Sequence, residues 1–107
     1  MQDNFSIVEY LGEPEVLAQL AEEASELAQA ALKLRRALEG QNPTPKTEEA
    51  CRAALLEEVA DVELCLGELG FMEDDLTAAE ICIIERKRRR WIERLVNGCG
   101  ERSGENG

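Results

Sequence analysis

One spacing limits this chain more than any other feature. Leu17, Leu20, Ala24, Leu27, Ala31, Leu34 and Leu38 follow one another in alternating steps of four and three. That rhythm puts side chains on one face of an α-helix and is incompatible with the twofold alternation of a strand. Leu55, Val59, Val62, Leu66 and Leu69 repeat it further on, flanked by Ala54, Glu58 and Cys65, and Ile81, Ile84, Trp91 and Leu95 mark a third line. Aromatics are only 4% of the residues and the apolar content is mostly Ala and Leu, which favours helices over sheets.

The helix ends carry their own signals. Gly12-Glu13-Pro14-Glu15 opens the first main helix, with proline in the first turn and acids at the positive dipole end, and Gly40 closes it. GQNPTPK is a connection. Thr47 caps the second helix, which runs to about Leu69 and stops at Gly70. Asp74 or Asp75 can cap the third, where Thr77-Ala78-Ala79-Glu80 matches a capping box and Asn97-Gly98 closes it. The N-terminal DNFSIVEYLG reads as irregular or a single turn, and the tail GCGERSGENG as disordered. The expectation is an all-α fold: one helical domain over residues 1–97 and a disordered tail over 98–107. Its three main helices form an antiparallel bundle, and oligomerisation completes a core too small for one chain.

Composition narrows the functions. With 23 acidic residues against 12 basic, a net charge of −11 and no histidine, binding to a nucleic-acid polymer is not expected. Acid–base work must come from carboxylates, lysine, cysteine, tyrosine or metal-bound water. Cys51, Cys65, Cys82 and Cys99 form no CxxC pair, which disfavours a zinc site, and Cys51, Cys65 and Cys82 at apolar helix positions are expected to be buried free thiols. With no signal peptide and no long apolar run, a cytoplasmic protein without a membrane partner is expected.

The apolar lines are interrupted in one informative way. LLEEVADVELCL carries Glu58 and Asp61 in or beside its stripe, and LAEEASELAQ carries Glu23 and Glu26. Residues three apart are neighbours on a helix surface, so each stretch presents an acidic pair. The short connection makes the two helices antiparallel, which can bring both pairs to one level. Four ionised carboxylates there need a counter-charge, and a hard divalent cation, Mg²⁺ by default and Mn²⁺ as a substitute, supplies it. Solvated glutamates on acidic helices are the bland rival; they do not explain acids that interrupt an apolar stripe. A carboxylate-bridged di-iron bundle is disfavoured because its Glu-x-x-His motifs are absent.

EEASE followed by EEVAD resembles the EExxE…ExxD signature of the MazG-like, all-α nucleoside triphosphate pyrophosphohydrolases. The connection between Glu26 and Glu58 lies at or past the long end of the family's range, with the excess in GQNPTPKTEE. The resemblance implies Mg²⁺-dependent hydrolysis of a nucleoside triphosphate between the α and β phosphates, giving a monophosphate and pyrophosphate. It implies Glu23, Glu26, Glu58 and Asp61 as metal ligands and Glu22 as a candidate base or outer group. Lys87, Arg90 and Arg94, from the one basic cluster IIERKRRRWIER, would contact the phosphates, and apolar surface that one short chain can hardly cover makes a homodimer or homotetramer the expected state. The bland alternatives stand beside these roles. The basic cluster also reads as balancing a helix C-terminus and solvating a face, Trp91 as core or interface, and Lys33, Arg35 and Arg36 as surface partners of acids. Asn4, Phe5 and Tyr10 are the candidates for base recognition. Rival functions are a non-catalytic helical interaction module and a nucleotide-binding protein without turnover.

Overall fold

The computed structural model describes residues 4–40, 47–72 and 77–105, with side chains as far as residue 98. Every regular element among them is a helix: α1 (Ile7–Leu11), α2 (Glu13–Glu39), α3 (Glu48–Glu68) and α4 (Ala78–Glu105). None is long and apolar enough to cross a membrane. The chain divides into two compact units, Met1–Met72 and Glu73–Gly107, and the division falls inside the stretch expected to be one domain.

The caps act where the sequence places them. Gly12, at φ 97°, separates α1 from α2, and Pro14 sits in the first turn of α2. Gly40, at φ 67°, takes the left-handed conformation that ends α2, and its N–H donates to the Arg36 carbonyl at 2.9 Å. The Thr47 hydroxyl accepts the Ala50 N–H at 3.1 Å. The Thr77–Glu80 box is reciprocal: the Thr77 N–H donates to Glu80 Oε1 at 2.7 Å and the Glu80 N–H to Thr77 Oγ1 at 3.2 Å. The connection over residues 41–46 and the Asp74 or Asp75 cap lie outside the described residues.

The expected stop at Asn97-Gly98 is not where the third main helix ends, because α4 continues to Glu105. A glycine inside a helix costs only about 1 kcal/mol relative to alanine, so Gly98 weakens the helix without terminating it. Of the apolar residues on α4, Ile81, Ile84, Trp91 and Leu95 are exposed. Cys82, expected to be buried, is exposed there too, whereas Cys51 and Cys65 are buried as expected.

In the first unit, α2 and α3 pack as an antiparallel hairpin. Val16 and Gln19 near the start of α2 share one cavity wall with Leu64 and Glu68 near the end of α3, while Gln29 and Lys33 share another with Cys51 and Ala54. The side of α2 that turns inward is offset from the line expected. Val16 and Leu34 are buried, and Leu20, Glu23, Leu27, Ala30 and Ala37 are half-buried, whereas Leu17, Ala24, Ala31 and Leu38 are exposed. Both lines share Leu20, Leu27 and Leu34, so the sequence offers two adjacent apolar faces and the hairpin uses the one that contains Glu23. On α3 the most buried residues are Cys51 and Cys65, with Glu58 midway between them, and the Leu55–Leu69 line beside it is half-buried.

The short α1 is capped by Ser6, whose hydroxyl accepts the Glu9 N–H at 3.2 Å. It is tied to the end of α3 by the Val8 N–H, which donates to Glu68 Oε1 at 3.0 Å across sixty residues of sequence.

Candidate metal centre

Each helix of the hairpin carries acid into its seam. Glu23 lies seven residues after Val16 and seven before Ala30, so helical geometry gives it the same heading as those inward residues. Glu58 lies seven residues from both Cys51 and Cys65 and is fixed in the same way. Glu26 stands one turn beyond Glu23. Oxygens of Glu23, Glu26 and Glu58 lie within 4.8 Å of one another.

Such proximity is unfavourable for three ionised groups. The Glu58 carboxyl is pushed above its ordinary value of 4.5, first by desolvation and then by the charges of Glu26, Asp61, Glu23 and Glu57. Glu23 Oε2 accepts a hydrogen bond from Gln19 Nε2 at 2.7 Å, while Glu23 Oε1 and Glu58 Oε1 are buried with no hydrogen-bond partner among the described residues. A buried acceptor left without a donor is costly, and carboxylates more so than neutral groups. Three carboxylates at this range, with two oxygens unsatisfied, fit a hard divalent cation of the Mg²⁺ or Mn²⁺ kind, which takes oxygen ligands and keeps several waters.

Two cavities flank the seam. One, of about 410 Å³, is lined by Glu22, Ser25, Glu26, Gln29, Lys33 and Glu58, with Ala30, Cys51 and Ala54 behind them. The other, of about 300 Å³, is more apolar: Ile7, Leu11, Val16, Leu64 and Cys65 form most of it, with Gln19, Glu23, Asp61 and Glu68 around them. Burial, helped by the charges of Glu23 and Asp61, pushes the Cys65 thiol up, so it stays protonated and packs as a small apolar group.

Of the ligands expected from the motif, the structure groups Glu23, Glu26 and Glu58. Asp61 is exposed and stands outside the trio, on the wall of the apolar cavity, though its charge reaches Glu58 and Cys65. Glu22 is exposed and lines the polar cavity with Glu26 and Glu58. Lys87, Arg90 and Arg94 are exposed on α4, in the second unit. Phe5 and Tyr10 are exposed and lean against each other, their ring centroids 5.5 Å apart, and neither lines a cavity described above. Arg35 pairs with Glu39 at 3.1 Å, the surface role expected of it. Lys33, expected to do the same, lines the polar cavity instead. The apolar cavity had no signal in the sequence, because its wall is drawn from α1, α2 and α3 together. No family model matches the chain, and no curated protein or solved structure is similar to it.

Proposed function

We propose that this chain is a Mg²⁺-dependent nucleoside triphosphate pyrophosphohydrolase of the MazG-like kind, acting in the cytoplasm. The observation that carries the reading is the pair of unsatisfied buried oxygens on Glu23 and Glu58, beside Glu26, at the seam of a helical hairpin. An interaction module would suit the exposed apolar residues equally well but gives those oxygens nothing to do. The EEASE and EEVAD motifs supply the four residues, Glu23, Glu26, Glu58 and Asp61, that would hold the cation.

When bound, the cation would offset the charge of the carboxylates and the triphosphate and make nearby water more acidic. The chain's residues do the rest. One water adds across the α–β phosphoanhydride: its hydroxyl joins one phosphorus, the bridging oxygen leaves with the other, and the remaining proton goes to a carboxylate. Glu22 is suited to accept that proton, because it lines the cavity with Glu26 and Glu58 yet is not part of the converging trio. The apolar cavity at Val16 and Leu64 is a place for the nucleoside to exclude water. The resemblance implies phosphate contacts for Lys87, Arg90 and Arg94 as well.

Pyrophosphate release from a panel of ribo- and deoxyribonucleoside triphosphates tests the reading. Release with Mg²⁺ that stops in EDTA is the expected result, and no release from any triphosphate removes it. In the same assay Lys87→Ala and Arg90→Ala are each expected to lower kcat/KM by about tenfold or more, since a charged contact is worth roughly 1.5–3 kcal/mol. Unchanged kinetics would return the basic strip to a solvated surface.

Association with a second copy is also proposed, as a dimer or tetramer. Leu17, Leu38, Leu56 and Leu64 are exposed in the first unit, and Ile84, Trp91 and Leu95 in the second, a large apolar load for a chain of 107 residues. Light scattering at micromolar concentration is expected to give at least twice the 11.9 kDa chain mass. A monomer would refute the oligomer and weaken the family reading.

A further inference from the structure

The two cavities on either side of the carboxylates differ in what they can hold. Each is lined by three carboxylates, Glu23, Asp61 and Glu68 in the apolar one and Glu22, Glu26 and Glu58 in the polar one, but the apolar one offers no cation to set against them. The polar one contains a single cationic side chain, Lys33, together with the hydroxyl of Ser25 and the amide of Gln29, both donors to phosphate oxygen. Lys33 follows Glu26 by seven residues, about 10 Å along the axis. Lys33 lines the same cavity as Glu26 and Glu58, two of the three carboxylates. Arg35 and Arg52 are occupied by Glu39 and Glu48, whereas Lys33 makes no ion pair among the described residues.

We infer that Lys33 binds the pyrophosphate end of the substrate, so that the triphosphate lies along the hairpin with its nucleoside toward Val16 and Leu64. The identity of the anion rests on the triphosphate reading above; the direction rests on the unlike chemistry of the two cavities. After cleavage the same cavity holds pyrophosphate, and the nucleoside monophosphate remains on the other side of the carboxylates.

The test separates the two ends by measuring binding of each product, with Mg²⁺ present, by calorimetry. In Lys33→Met, which keeps the apolar stem, the Kd for inorganic pyrophosphate is expected to rise about tenfold or more, the loss of one charged contact. Lys33→Arg is expected to restore most of that affinity, and the Kd for the nucleoside monophosphate is expected to stay unchanged in both variants. Lys33 is exposed, so neither substitution should disturb the hairpin, and unchanged helical circular dichroism checks this. Pyrophosphate binding that ignores Lys33→Met, equal weakening of both products, or wild-type protein that binds no pyrophosphate would each overturn the inference. Turnover by wild-type protein with Lys33-independent pyrophosphate binding leaves the hydrolase and removes Lys33. Lys33-dependent binding without turnover of any triphosphate does the reverse.

Discussion

Glu58→Gln is expected to lower turnover by at least about a hundredfold while making the metal-free protein more stable. Removing a group that merely orients a metal ligand costs about 10–100-fold in affinity or activity, and a ligand should cost no less than the top of that range. The opposite sign for stability follows from the seam. Glu58 is half-buried, has an oxygen without a partner, and stands among Glu23, Glu26, Asp61 and Glu57. The amide of glutamine keeps the shape, removes one charge from the repelling set, and adds donors for its neighbours' acceptors. Asp61→Asn is also expected to lose turnover, with a smaller gain in stability, because its carboxylate is exposed and outside the converging trio. Pyrophosphate release and thermal melting without metal, measured on the same preparations, decide the matter. Either variant turning over like wild type would end its role as a ligand. A less stable Glu58→Gln protein would mean that the carboxylate is part of the fold rather than a cost to it.

Mg²⁺ is expected to raise the melting temperature, and by more at neutral pH than in acid. A cation that binds only the folded chain adds about 1.4 kcal/mol at ten times its Kd. For a domain of this size that corresponds to about 5–10 °C. Protons compete for the same oxygens. Because the folded-state pKa of Glu58 is raised above 4.5, the folded protein binds that proton more tightly than the unfolded chain does. The Glu58 contribution is therefore fully present below 4.5 and is lost as pH rises through the raised folded value. Over the same interval the carboxylate becomes free to hold a cation. The gap between melting curves with and without Mg²⁺ should widen as pH climbs, and Glu58→Gln should flatten Glu58's share of it. A gap of constant size from acid to neutral pH would show that the cation acts elsewhere; no gap at all would leave the seam without its proposed ligand.

Helix boundaries were legible because their causes are local: Gly40 takes a positive φ, the Thr47 hydroxyl caps its own turn, and Thr77 and Glu80 complete a box within four residues. The facing sides were harder to read. Both apolar faces of α2 run through Leu20, Leu27 and Leu34, and only the packing partner chooses between the flank with Val16 and the flank with Leu17. Glu58 was legible because a carboxylate in an apolar line demands an explanation, and Glu23 because it belongs to a second acidic pair of the same pattern. Lys33 was not, because a cation beside Arg35 and Arg36 in an acidic chain most simply pairs with a neighbouring acid, and its cavity exists only once α3 lies against α2. Past Asn97-Gly98 the turn signal was legible but too weak to stop α4.

The attachment of α1 has a consequence for how the molecule breathes. A five-residue helix cannot hold itself together by its own backbone bonds, and no residue of α1 is buried. Its positional hold comes from modest packing and from one carboxylate, Glu68, meeting one amide, Val8, with Gly12 as a joint behind it. In a native ensemble such a segment detaches far more often than the long hairpin separates. Detachment would take Ile7 and Leu11 out of the wall of the apolar cavity and leave Glu23, Glu26 and Glu58 on the two long helices. Opening that cavity would therefore need only a local equilibrium rather than global unfolding, with the carboxylates left in place on the two long helices.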